Sequence, residues 1–128
     1  MMPLPIERWH RIVATRDLAD LEALLADGVI FHSPIVHTPQ VGRVITQKYL
    51  AAAMTVLNNG SFAYLREWYG QSCAVLEFQC VCEGVVVNGV DILEWDIDGR
   101  ISNFKVFIRP LKAISTLHAM MGQELQRA

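Results

Sequence analysis

The sequence predicts an α+β fold in which helices cover one face of a curved sheet. Three observations carry this. The first half alternates helix-period stretches with one short strand. The second half holds four long stretches of strand-like alternation joined by short turns. One face of those strands is almost wholly apolar, the side expected to meet the helices.

The elements follow in order. "PIERWHRIVAT" (5–15) reads as a helix, with Pro5 in its first turn and Ile6, Trp9 and Val13 on one face. Asp17 is placed to cap a second helix, "LADLEALLA", with Leu18, Leu21 and Leu25 on one side and Gly28 as its end. "VIFHSP" is a short strand stopped by Pro34, and "IVHTPQVG" is a loop with Pro39 and Gly42 as turn-formers. A third helix is expected over Thr46 to Leu57, with Tyr49, Ala53, Val56 and Leu57 on its apolar side. Four strands follow: "FAYLREWYG", "CAVLEFQCVCEG", "VVVNGVDILEWD" and "RISNFKVFIRP". Asp98-Gly99 signals a hairpin turn, Gly84 a turn and Gly89 a bend. "LKAISTLHAMMGQEL" closes the chain as a helix with an Ile114, Leu117, Met121, Leu125 stripe.

Alternation assigns the strand faces. Leu76, Phe78, Cys80, Cys82, Asp91, Leu93, Trp95, Phe104, Val106 and Ile108 look inward. Glu77, Gln79, Glu94, Lys105 and Arg109 look outward with several Val and Phe residues, and Glu67 joins them. Such a mixed outer face suits a subunit interface.

The chain has 128 residues, 52% apolar and 19% charged, with a formal net charge of −2. One domain spanning 1–128 is the expectation. Mean hydropathy is high for a chain this small, which an internal apolar cavity or a buried interface would explain. The basic residues are scattered, so nucleic acid is not an expected partner. No apolar run reaches membrane-spanning length, and "MMPLPIERWH" lacks a signal peptide's apolar centre. A cytoplasmic protein is expected. The three cysteines, Cys73, Cys80 and Cys82, argue against a disulfide framework. Cys80 and Cys82 form a C-x-C pair without a nearby His or second pair, so they read as buried thiols. No metal and no cofactor is expected.

Asp91 is the main chemical candidate, a lone carboxylate on the inner face among large apolar groups. His37 lies in a loop free of alternation and is a candidate acid–base group at the pocket mouth. His32 faces away from Phe31 and Ser33 by alternation and reads as structural. Gln40 is a companion amide for a substrate carbonyl. Trp9, Tyr49, Phe78 and Trp95 are candidate aromatic walls, with Ser33, Phe104 and Val106 beside them.

Three segments, "RDLADLEALLADGVIFHSP", "PQVGRVITQKYL" and "VDILEWDIDGRISNFKV", resemble the nuclear-transport-factor-2-like superfamily in its SnoaL-like branch, which includes ketosteroid isomerases and polyketide cyclases. The resemblance covers nearly the whole chain. It implies a cone-shaped, curved antiparallel sheet that encloses one apolar pocket with the helices, in a homodimer packed through the outer sheet face. It puts Asp91 on the position of the ketosteroid isomerases' oxyanion-hole acid, a carboxyl kept protonated by its apolar site. The position of the general base holds Ser33, and that of the oxyanion tyrosine holds Trp9. The epoxide hydrolases' Arg-x-Asp pair is missing, with Val106 near the place of one acid. "FHSPIVHTPQ" and "FKVFIRPLKA" are similar to a bacterial subgroup to which no reaction is assigned.

The function expected from residues and resemblance together is binding of a small apolar, carbonyl-bearing molecule in the pocket. Cofactor-free isomerisation, cyclisation or dehydration is one form of it, with Asp91 and His37 as catalytic residues and Trp9, Ser33, Gln40, Tyr49, Phe78, Trp95, Phe104 and Val106 contacting the substrate. A non-catalytic ligand-binding or dimerisation module is the alternative.

Overall fold

A computed structural model describes residues 1–127; Ala128, the last residue of the expected domain, lies outside them. Helix α1 (Leu4–Thr15) buries Ile6, Trp9 and Ile12. Its spacing of three residues between these positions sets one apolar face against the sheet. Helix α2 (Leu18–Leu24) starts where Asp17 accepts a hydrogen bond from the Asp20 amide at 3.1 Å. Strand β1 (Leu25–His32) follows without a break. This corrects the expected end of the helix at Gly28. Leu18 is exposed, while Leu21, Leu24 and Leu25 are buried. Leu25 extends the leucine pattern of α2, so sequence spacing alone does not mark where helix becomes strand.

Strand β2 (Gln40–Val41) is two residues long, too short for any periodicity to reveal, and sits within the segment read as a loop. Helix α3 (Arg43–Leu57) begins three residues earlier than expected, after Gly42 at φ 112°. Strands β3 (Ala63–Tyr69), β4 (Cys73–Cys82), β5 (Val85–Trp95) and β6 (Ile101–Arg109) form the meander, and α4 (Leu111–Arg127) closes the chain.

The six strands make one curved sheet in the order β2-β1-β6-β5-β4-β3. Every pairing is antiparallel except β1 with β6, which is parallel and departs from the purely antiparallel expectation. Register shifts interrupt the ladders between Leu25 and Ile30, Tyr64 and Arg66, and Glu94 and Trp95. Such bulges bend strands and raise the local twist, which is what a closing cone requires.

Burial along β4 alternates strictly, with Ala74, Leu76, Phe78, Cys80 and Cys82 inside. On β5 and β6, Val87, Asp91, Leu93 and Phe104 are buried, in line with the faces read from alternation. Strand β3 breaks the pattern. Tyr64 pairs with Phe78 and Glu67 pairs with Leu76, both inner-face partners, because the shift at Leu65 absorbs one residue. Glu67 therefore lies on the helix side, not on the outer face. Its Oε2 sits 2.7 Å from His10 Nε2 of α1.

Gly89 is not a bend, since the β4–β5 register runs through it unbroken. It is a close approach. A Cβ there would stand 2.6 Å from both the Phe107 carbonyl oxygen and Phe78 Cζ. The Phe78 ring, 1% exposed, occupies the space that a side chain at 89 would need. Gly89→Ala is expected to destabilise the fold by about 1–3 kcal/mol through overpacking. Urea unfolding checks this, and an unchanged midpoint would show that the Phe78 site tolerates the methyl.

Candidate functional site

The helices and the inner sheet face leave a cavity of about 260 Å³ between them. Its wall is mostly aromatic and aliphatic. Trp9 from α1 meets Phe104 edge-on at 5.0 Å, and Phe31 lies between Phe104 at 6.0 Å and Tyr49 at 5.8 Å. On the other side Phe62 stacks on Phe78 at 5.3 Å and meets Tyr64 edge-on at 5.1 Å. Helix α3 contributes Tyr49, Ala53 and Leu57, three of the four residues expected on its apolar face; Val56 instead packs beneath with Phe78 and Cys80. Helix α4 supplies Leu117, His118, Met121, Gly122 and Leu125.

Asp91 is the one carboxylate in this lining and is 6% exposed. The strand alternation that buries Leu93 also aims Asp91 inward. Tyr64 donates a hydrogen bond from its hydroxyl to Asp91 Oδ2 at 3.4 Å, and Trp9 donates its indole N–H to the Tyr64 oxygen at 2.8 Å. The three form one directed line from α1 through β3 to β5. Burial raises the Asp91 carboxyl to about 7, opposed in part by the Tyr64 hydrogen bond. Burial, with the Asp91 charge second, holds the Tyr64 phenol protonated well above its ordinary range. At neutral pH Tyr64 is thus a fixed donor and Asp91 is poised between acid and base.

Of the residues singled out from sequence, Trp9, Ser33, Tyr49, Phe78, Asp91, Phe104 and Val106 all line the cavity. Three do not. His37 is exposed on the outward stretch of the 33–39 loop, beyond Val36, the last residue of that loop in the lining. Gln40 belongs to β2, paired with Phe31, and its amide donates to the Thr38 carbonyl at 3.3 Å. Trp95 lies past the Glu94–Trp95 register shift, in a separate shallow cleft with Leu4, Pro5 and Arg8. Ser33 reaches the cavity but its hydroxyl accepts the Ile35 amide at 3.0 Å, a local turn bond. His32 faces away, with Nε2 3.5 Å from Asn103 Nδ2.

Sequence reasoning missed two residues. Alternation counted forward from Phe62, or back from an outward Glu67, turns Tyr64 inward, but its place as donor to Asp91 emerges only from the β3–β4 register. His118 flanks the α4 stripe and lines the cavity while remaining exposed. Cys80 and Cys82 lie 3.8 Å apart, sulfur to sulfur, in the apolar layer under α4. Burial pushes Cys80 up to about 12, so it is a neutral thiol at neutral pH.

Fold and site together define a class: an α+β cone around an apolar cavity with a single buried carboxylate. The chain belongs to the SnoaL-like family, in the nuclear-transport-factor-2-like superfamily; the SnoaL-like domain model matches residues 6–104. It is similar to a steroid delta-isomerase from Pseudomonas aeruginosa, with 33% identity over 96% of this chain and 90% of that one, at a TM-score of 0.90. It is also similar to a protein conserved in bacteria with a cystatin-like fold from Silicibacter pomeroyi, with 30% identity over 95% and 85% of the two chains and a TM-score of 0.87. A polyketide cyclase-type protein from Sinorhizobium meliloti shares the fold at 15% identity, covering 82% of this chain and 94% of that one, with a TM-score of 0.66. No match is found among curated proteins.

The raised Asp91 carboxyl makes stability depend on pH in a definite direction. Well below pH 4 the carboxyl is protonated both folded and unfolded, and its contribution is fully present. As pH rises toward 7 the unfolded chain ionises while the folded one resists, so stability falls until the folded group also ionises. Asp91→Asn is expected to abolish this decline. By pH 8 the variant gains on the order of 3–4 kcal/mol relative to wild type, the free energy of ionising a carboxyl held at about 7. Urea unfolding at pH 4 and pH 8 measures it, and parallel pH dependences in the two proteins would refute the burial of an ionisable Asp91.

Proposed function

We propose that the cavity binds a compact apolar molecule through a carbonyl at its inner end, with Asp91 as the acid–base group of a cofactor-free isomerisation, cyclisation or dehydration. The observation that carries this is the Tyr64–Asp91 pair, a neutral donor on a carboxyl held at about 7 inside an otherwise apolar wall. A group with that value is matched to proton transfer at neutral pH. The ionised carboxylate takes a proton from the carbon beside the carbonyl, and the C–H electron pair moves onto the carbonyl oxygen as an enolate. Return of the proton to the same carbon completes exchange, and in a β,γ-unsaturated ketone its delivery to the γ carbon of the dienolate completes isomerisation. Tyr64 stabilises the carboxylate that starts the cycle, and Trp9 orients Tyr64. The name of the Pseudomonas relative, a steroid delta-isomerase, supports the same substrate chemistry. A volume of about 260 Å³ lies just below the usual range of ligand pockets, roughly 300 Å³ upward, and favours a compact ligand.

A second reading, ligand binding without turnover, is favoured by one observation. Ser33 stands where the resemblance puts a base and is tied into its own turn, and His37 lies outside the cavity. The two readings separate on 2-tetralone, a compact apolar ketone, in heavy water. The enzyme reading expects accelerated deuterium exchange beside the carbonyl, lowered about 10²-fold or more by Asp91→Asn. If the ketone raises the melting temperature while exchange stays at the buffer rate, the binding reading holds instead.

We further propose a homodimer through the outer sheet face. Val81, Val86 and Phe107 are exposed there. A polar line from Arg66 to Glu77 (3.2 Å), Glu77 to Asn88 (3.1 Å) and Asn88 to Arg109 (3.5 Å) crosses the same face. An apolar patch with internally satisfied polar groups suits a partner of the same surface. The free cysteines fit a reducing compartment, and the cytoplasm is the location we propose. No helix among the described residues is long and apolar enough to cross a membrane. Phe107→Glu is expected to convert dimer to monomer in sedimentation velocity with the circular dichroism spectrum kept. A wild-type protein that sediments as a monomer would rule the dimer out.

A further inference from the structure

The cavity has a second chemical end that neither the fold nor the Asp91 chemistry uses. Four titratable side chains line it: Tyr49, Tyr64, Asp91 and His118. Asp91 is almost fully buried and marks the inner end. His118 is exposed and marks the entrance, on the face of α4 that also presents Leu117, Met121 and Leu125 to the cavity. It is the one lining residue able to carry positive charge. Gly122 lies one turn further along the same face. It sits inside a helix, where glycine is disfavoured, and a Cβ there would meet nothing within 4 Å. No packing demand or positive φ accounts for it. Its effect is to leave open space beside His118.

Asp91, at the buried end, is the one carboxylate of the lining. Asn58 lines the cavity, and its carbonyl oxygen accepts a hydrogen bond from Arg16 at 2.6 Å. Glu124, the acid on this part of α4, is turned to Arg127 at 3.6 Å and is not part of the lining. An anion beside His118 would therefore meet an imidazole, with no second carboxylate in the lining.

Building on the reading of the cavity as a carbonyl site, we infer that His118 and Gly122 form an entrance selecting ligands that carry a carboxylate at the end opposite their carbonyl or enol oxygen. The ligand class is a compact apolar keto acid or its enol. The oxygen at one end meets Asp91, and the carboxylate accepts a hydrogen bond from the His118 imidazole, with Gly122 leaving it room.

Calorimetric titration with 2-naphthol and 6-hydroxy-2-naphthoate tests this, since the two differ only by the outer carboxylate. Wild type is expected to bind the carboxylate about tenfold more tightly, the scale of one charge-assisted hydrogen bond. That ratio should fall to about one in His118→Ala and be retained in His118→Arg. Gly122→Leu should weaken 6-hydroxy-2-naphthoate about tenfold or more, with an unchanged circular dichroism spectrum. A wild-type ratio of one, a ratio that survives His118→Ala, or full affinity in Gly122→Leu overturns the inference. If 2-naphthol binds and the carboxylate brings no gain, the entrance assignment alone falls. If neither compound binds, the carbonyl-site reading falls and takes this inference with it.

Discussion

The line from the Trp9 indole through the Tyr64 hydroxyl to Asp91 is the constraint around which the interior is arranged. It joins the first helix, the edge strand and a central strand across the apolar layer. Trp9 and Asp91 are buried and Tyr64 is half-buried, and each polar group would be costly without the next. The indole N–H needs an acceptor, the phenol supplies one and needs an acceptor in turn, and the carboxyl ends the chain. Aromatic rings on both sides keep water out, which raises the Asp91 carboxyl and strengthens the bonds it makes. Stability and chemistry are therefore coupled at one residue. The burial that disfavours a charged Asp91 is what brings it into the range where it can exchange protons.

That arrangement changes the meaning of the family resemblance. Positions that would hold a base and a tyrosine carry Ser33 and Trp9, and taken alone they suggest a cavity stripped of its chemistry. The tyrosine has instead come from another element. Tyr64 reaches the carboxylate from the sheet, and Trp9 supports it. Ser33 is committed to a turn, which leaves Asp91 as the one carboxyl in the lining.

The fold was legible because its strands are long and regular. Alternation over β4, β5 and most of β6 assigned inner and outer faces from residue types alone, Asp91 included. It also sent Phe31 and Ser33 inward and His32 outward. It failed where the ladder is irregular. The shift at Leu65 brings both Tyr64 and Glu67 to the helix side, and two residues three apart cannot share a face in an unbroken strand. The shift at Glu94–Trp95 and the end of the strand carry Trp95 away from the cavity. His37 had no period to constrain it, and β2 is too short to have one. His118 sits at the flank of an apolar stripe, where helical spacing does not separate a cavity-facing side chain from a solvated one.

The placement of Tyr64 on β3 has an evolutionary consequence. β3 is the edge of the sheet, paired with β4 alone, and none of its residues is among the fully buried members of the two hydrophobic clusters. The donor facing the carboxylate is thus carried by an edge strand that supplies no fully buried residue to the core. Substitutions there can change what the inner end of the cavity offers a ligand while leaving most of the folding energy in place. The interior scaffold and its chemical specificity can drift on separate clocks, with the edge strand as the adjustable part.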